Sequence, residues 1–206
     1  MPNGLHLTKK TMNEYKAIFI DKDGTLIPDI PYNVNVDLIS IDPETIKGLQ
    51  IMKAQGFLLF IISNQPGVAK GYFNEKDLER IKNKIDSLLE PHQIHFSGFY
   101  YCPHYADAVV KEYAINCDCR KPLPGLIIKA AEGFQINLSQ SWMIGDILND
   151  VEAGKRAGCK TILLDNGHET EWILNSLRTP DFKAKSMKEA ALLIKEHSKK
   201  FLVHHE

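Results

Sequence analysis

Charge of one sign is missing from this sequence. Its 25 Lys and Arg stand against 26 Asp and Glu, a formal net charge of -1, so no overall field draws the chain to nucleic acid or an anionic membrane. Any recognition of phosphate has to be local. Long apolar runs are missing too: none approaches the ~20 residues that a membrane span needs. The opening stretch MPNGLHLTKKTMNEYK lacks both an apolar core of about 7 to 15 residues and a small-residue cleavage pattern, which makes a cytoplasmic location the expectation. Internal repeats and low-complexity segments are absent. Cysteine is scarce, and the pair Cys117 and Cys119 is badly placed for a disulfide, because side chains two apart on an extended chain point the same way without reaching bonding geometry. Three of the 4 cysteines, Cys102, Cys117 and Cys119, are clustered along the chain. In a reducing compartment that clustering favours a metal over a disulfide.

What is present is ordinary globular composition, 44% hydrophobic and 25% charged, enough for one well-buried α/β domain. We expect a flexible segment over 1–14, a single domain over 15–200 and a short tail over 201–206. The runs AIFI (17–20), FLLFIIS (57–63), FSGFYY (96–101), SWMIG (141–145) and KTILL (160–164) read as buried strands. Between them lie helical patterns. Asp42 and Pro43 start one, with Ile46, Leu49 and Met52 on its apolar face and Gly56 past its end; Asn74 caps another, with Leu78, Ile81, Ile85, Leu88 and Leu89 in one stripe. PGLIIKAAEGF and NDVEAGKRAG follow as helices, and SMKEAALLIKEHSKK reads as a last packing helix. Such alternation predicts a mostly parallel sheet covered on both faces, with ligands at the carboxyl ends of the strands.

The strand ends carry the polar chemistry. DKDGT (21–25) puts Asp21 and Asp23 on one side of an extended segment, close enough to share a divalent cation. SNQPGVAKG (63–71) offers the Ser63 hydroxyl and small residues that let backbone N–H groups face an anion. The third loop ends in Arg120-Lys121-Pro122, and GDILND supplies Asp146 and Asp150. Each of these also reads as an ordinary turn or an acidic helix start. Their occurrence at the same end of successive strands is the stronger signal.

In order, DKDGT, Ser63 in IISNQ, Lys121 in CRKP and GDILND resemble the four motifs of the haloacid dehalogenase (HAD) superfamily, over about residues 17 to 165. More narrowly, FIDKDGTL, SNQPGVAKGYF, YYCPH and CDCRKPLPG resemble the heptose-bisphosphate phosphatases, with the zinc-bearing histidinol-phosphate phosphatases as cousins. The resemblance implies a three-layer α/β/α Rossmann-like fold and a Mg²⁺-dependent phosphatase working on a small phosphorylated sugar. It implies Asp21 as nucleophile, Asp23 as acid and base, and Ser63 and Lys121 as phosphoryl ligands. It places Mg²⁺ on Asp21, the main chain of Asp23 and Asp146, with Asp150 behind them. It assigns Arg120, the segment Asp29, Ile30, Pro31 and Tyr32, and the cup Asn64, Gln65 and Pro66 to substrate. Ile147 stands where a basic residue is frequent in the family, and Pro66 where a small polar one is usual.

Cys102, His104, Cys117 and Cys119 form a C-x-H and C-x-C array of three sulfurs and one nitrogen, the donor set of a closed tetrahedral zinc site. With no open position, such a zinc would be structural, and its hook would fix the backbone just before Arg120 and Lys121. Cys159 reads as a core thiol. His6, His92, His95, His168, His197, His204 and His205 lack comparable partners and read as solvated or structural. No insertion long enough for a large cap domain interrupts the chain, and a monomer is expected. Competing readings are histidinol-phosphate hydrolysis, a halide-releasing enzyme and a catalytically silent module that binds a phosphorylated ligand.

Overall fold

The computed structural model describes residues 15–203, with side chains as far as residue 198. The expected flexible segment 1–14 and the end of the expected tail, 204–206, lie outside these residues, and the last helix runs on through Val203. A single six-stranded sheet forms the middle layer: β1 (Ala17–Ile20), β2 (Leu58–Asn64), β3 (Gly98–Cys102), β4 (Trp142–Gly145), β5 (Lys160–Leu164) and β6 (Phe182–Ala184). Their order is β3-β2-β1-β4-β5-β6, and every neighbouring pair is parallel.

Alternation along β1 shows why two helical layers are needed. Ile18 and Ile20 join one core with residues of α1 (Pro43–Ala54), α3 (Glu75–Leu89) and α6 (Met187–Val203), while Ala17 and Phe19 join the opposite core with α4 (Gly125–Phe134) and α5 (Leu148–Ala157). A strand apolar on both sides is stable only when both faces are covered. The helices start and stop where their end residues dictate. The Asp42 carboxylate accepts from Glu44 N at 2.7 Å to open α1, Asn74 and Asp77 make a reciprocal cap on α3, and Gly158 ends α5 in the left-handed region.

Two elements escape the hydrophobic pattern. The short α2 (Pro66–Ala69) is one turn long, and β6 has three residues at the sheet edge; neither is long enough to show a period. The strand order reverses direction at β1, whose neighbours β2 and β4 run to opposite edges. In open parallel sheets this switch point leaves a crevice at the carboxyl ends, where ligands bind. Residues 21–42, which lead from β1 to α1, contain only a short helical turn over Val36–Leu38, so no cap domain is inserted there. None of the described helices is long and apolar enough to cross a membrane.

Candidate active site

Asp21 follows the last residue of β1, and its N–H donates to Ile144 O at 2.9 Å, so the tips of β1 and β4 are locked side by side. That places Asp21 next to Asp146, one residue past β4. Asp150, in the first turn of α5, completes a group of three buried carboxylates whose nearest oxygens lie within 4.8 Å of one another. Lys121 enters from the loop after β3. Its Nζ contacts Asp21 Oδ1, lies 2.6 Å from Asp150 Oδ1 and donates to Ile62 O at 2.9 Å.

This packing is electrostatically lopsided, with three buried carboxylates facing one buried ammonium. Burial pushes the Asp21 carboxyl up to about 7; Lys121 opposes the shift, and Asp150 and Asp23 add to it. Asp146 and Asp150 are raised as well, chiefly by burial, with Asp21 adding to the first and Lys121 opposing the second. For Lys121, burial alone would lower the pKa, but Asp150 and Asp21 outweigh it and raise it. A surplus of buried negative charge with oxygen donors is the environment of a hard divalent cation, and Asp21 and Asp146 fit Mg²⁺.

The same lopsidedness predicts how the metal-free fold responds to pH. Carboxyls with pKa values raised by folding bind protons more tightly in the native state, so their contribution falls as pH climbs from about 4 to about 7. Lys121 is charged throughout that window, and the lowered carboxyls Asp181, Glu169 and Glu44 lose their stabilising effect only below their ordinary range. Metal-free protein should therefore melt at a higher temperature at about pH 5.5 than at about pH 7.5. Calorimetry in chelator showing the reverse order would contradict this account.

Asp23 is held differently. Lys22 Nζ donates to its Oδ1 at 2.7 Å and Gln65 Nε2 to its Oδ2 at 2.9 Å, and the same Gln65 nitrogen lies 2.7 Å from the buried Ser63 Oγ. One amide thus bridges the proposed acid and the proposed phosphoryl ligand. Gln65, expected in a phosphate cup, contacts Ser63 and Asp23. Asn64 has another job. Its Oδ1 accepts from Lys121 N and its Nδ2 donates to Lys121 O, both at 3.0 Å, which clamps the lysine's main chain against the tip of β2.

Asp29, Ile30, Pro31 and Tyr32 come together with Asn64, Gln65 and Pro66 around a cavity of about 270 Å³, whose wall also includes Lys22, Asp23, Asn33 and Gly67. Tyr32 sits at φ 54, an uncommon conformation for a bulky side chain. Its hydroxyl accepts from Lys70 Nζ at 2.7 Å, and its ring meets Tyr72 edge-on. Arg120 does not line this cavity. Its guanidinium lies over the Tyr105 ring at 5.3 Å, and its buried Nη1 has no hydrogen-bond partner among the described residues.

The cysteine loop closes as the spacing predicts. Cys119 Sγ is 3.1 Å from the sulfurs of Cys102 and Cys117, those two are 3.5 Å apart, and His104 Nδ1 is 3.2 Å from Cys119 Sγ and 3.7 Å from Cys102 Sγ. A tetrahedral zinc with ~2.3 Å bonds to sulfur has donor separations of ~3.8 Å. The observed set is slightly tighter and fits one such ion. Gly125 N donates to Asp118 O at 2.9 Å, and a Cβ on Gly125 would lie 2.6 Å from that oxygen, so the middle of the C-x-C hook rests on the start of α4. Cys159 is a buried thiol pushed up to about 12 by burial, as expected of a core residue.

One expectation is overturned. His168 is not a bystander: its Nδ1 lies 2.6 Å from Asp146 Oδ2. Thr25 Oγ1 donates to the other oxygen of Asp146 at 3.0 Å, a contact the sequence reading also missed. No local pattern points to His168, because it lies 22 residues from its partner. Thr25 was visible as the end of DKDGT. His197 packs edge-on against Trp142, consistent with a structural role, and His6, His204 and His205 lie outside the described residues.

Comparison with known proteins agrees with this geometry. The family described as HAD-hydrolase-like matches residues 118–190. A D-glycero-beta-D-manno-heptose-1,7-bisphosphate 7-phosphatase from Pasteurella multocida is 40% identical over 153 residues, covering 74% of this chain and 83% of that protein. The protein of the same name from Escherichia coli K12 is 35% identical over 170 residues, covering 78% and 89%. Among solved structures, a HAD-like phosphatase from Mesorhizobium loti superposes with a TM-score of 0.76 at 26% identity, covering 87% of this chain and 85% of that one. A heptose 1,7-bisphosphate phosphatase from B. bronchiseptica, complexed with magnesium and phosphate, shares the fold with a TM-score of 0.72 at 24% identity, covering 88% and 99%. With relatives this similar over most of their length, and the motif residues gathered at the carboxyl ends of the strands, the chain belongs to the heptose-bisphosphate phosphatase family of HAD-like hydrolases.

Proposed function

We propose that this phosphatase removes the 7-phosphate of D-glycero-D-manno-heptose 1,7-bisphosphate through a covalent phosphate on Asp21. The observation that carries the reading is the juxtaposition of Asp21 with Lys121 beside Asp23, itself at the wall of the 270 Å³ cavity. Asp21 attacks phosphorus as the bond to the sugar oxygen breaks, and Asp23 gives that oxygen its proton. Asp23 then takes a proton from the water that attacks the phosphorus of the intermediate, which frees phosphate and restores Asp21. Gln65 and Lys22 hold Asp23 in place for both transfers. Lys121 and the Ser63 hydroxyl face the charge that spreads over the phosphoryl oxygens. Mg²⁺ on Asp21, Asp146 and the main-chain carbonyl of Asp23 would supply the positive charge that lets carboxylate and phosphate approach.

Zinc on Cys102, His104, Cys117 and Cys119 is part of this reading, and its role is to brace the loop that delivers Lys121. Arg120 is assigned to the second phosphate: a guanidinium with an unused buried N–H suits a bidentate oxyanion contact. A cytoplasmic setting accords with the unpaired state of the four cysteines. Phosphate release from heptose 1,7-bisphosphate, heptose 7-phosphate, hexose phosphates and histidinol phosphate tests the assignment. The bisphosphate should exceed the rest in kcat/KM by at least about tenfold, ~1.4 kcal/mol of discrimination. Preference for histidinol phosphate would transfer the protein to the cousin activity and remove the role given to Arg120.

A further inference from the structure

The segment after β5 reaches back over the strand ends and touches three separate parts of the site. Asn166 Nδ2 donates to Gly24 O at 2.7 Å, His168 Nδ1 meets Asp146 Oδ2 at 2.6 Å, and Glu169 Oε2 accepts from Leu148 N at 2.6 Å at the start of α5. An ionised carboxylate can only accept, so Nδ1 carries the proton in the central pair. Gly24 is packed against that pair. A Cβ at this position, where φ is +78, would lie 2.1 Å from Asp146 Oδ2 and 2.5 Å from His168 Nδ1. The chain has thus left out a side chain to admit the contact.

We infer that His168 is a positioning residue for Asp146, setting the carboxylate's orientation before the metal arrives. The inference rests on the assignment of Asp146 to Mg²⁺ made above. The terminal torsion of an aspartate is soft, with a broad distribution of angles. Asp146 lies one residue beyond the end of β4. Two donors from different elements, Thr25 on one oxygen and His168 on the other, remove that freedom. Each carboxylate oxygen keeps a second lone pair for a cation. Partners that orient a metal-binding side chain in this way typically account for about 10–100-fold in metal affinity. The side chain of His168 bonds to Asp146 Oδ2, so its effect on the reaction passes through that carboxylate.

The test measures Mn²⁺ binding to metal-stripped protein by the loss of the free-ion EPR signal, for wild type, His168→Ala, His168→Asn and Asp146→Asn. Asparagine places an amide N–H near the position of Nδ1 and should bind within about threefold of wild type, whereas alanine should bind about 10–100-fold more weakly. In activity assays, alanine should raise the Mg²⁺ concentration needed for half-maximal rate while leaving the rate at saturating Mg²⁺ near wild type. Circular dichroism of the stripped proteins checks that each variant is folded. Unchanged affinity in His168→Ala, or equal weakening in alanine and asparagine variants, would overturn the positioning role. Wild-type affinity in Asp146→Asn would instead overturn the assignment of Asp146 to the metal.

Discussion

Asp21→Asn should lower the rate of phosphate release by at least about 10⁴-fold, the scale of effect seen when an enzyme loses its covalent nucleophile. The amide is nearly isosteric with the carboxylate, and it relieves part of the repulsion among Asp21, Asp146 and Asp150 that burial imposes. Lys121 keeps its contacts with Asp150 and with Ile62 O. Folding should therefore survive, and the variant should be at least as stable as wild type without metal. Loss of rate with retained or increased melting temperature separates chemistry from structure. Activity within about 100-fold of wild type would show that phosphorus is attacked by something other than this side chain.

Removing the zinc site should have the next largest effect. Cys119→Ser takes away the donor nearest to both other sulfurs and to His104, and one position later the chain turns into Arg120 and Lys121. We expect metal analysis to fall from one zinc per chain to nearly none, and kcat/KM to drop by about 100-fold or more, because misplacement of a catalytic group by ~1 Å costs that much. The Asn64 clamp on the Lys121 main chain limits the damage. Asn64→Ala combined with Cys119→Ser should thus lose more than the two single losses predict, as coupled sites do. Full activity in a zinc-free Cys119→Ser protein would mean that the hook does not govern the lysine.

Much of the fold is legible in the sequence because the central strands are unbroken apolar runs and the longer helices carry clear end signals. AIFI, WMIG and KTILL become strands at their expected positions to within a residue, and Asp42, Asn74 and Gly158 act as the end signals their types imply. The edge strand β6 and the single turn of α2 are not legible, since FKA is interrupted by a lysine and PGVA is too short for a helical period. At the site, Asp21, Lys121, Asp146 and Asp150 converge as their positions after successive strands suggest. The hydrogen bonds that orient them were hidden for a different reason. Asn64 meeting Lys121, Thr25 meeting Asp146 and His168 meeting Asp146 are contacts between distant parts of the chain, and each of those residues also has an unremarkable local reading as a turn or surface group.

Lys121 and Asp21 stand 100 positions apart along the chain. Half of the reactive set, Asp21, Asp23 and Ser63, is made before the loop that bears the lysine; the remainder comes afterwards on Lys121, Asp146 and Asp150. Closing so long a loop is among the slower and later events available to a chain of this size. Neither half alone holds both Asp21 and Lys121, so under the proposed mechanism hydrolysis waits until β1, β2, the lysine loop and β4 have come together. Under that mechanism turnover reports the docking of these distant segments, and a form that has its helices but not this junction stays silent.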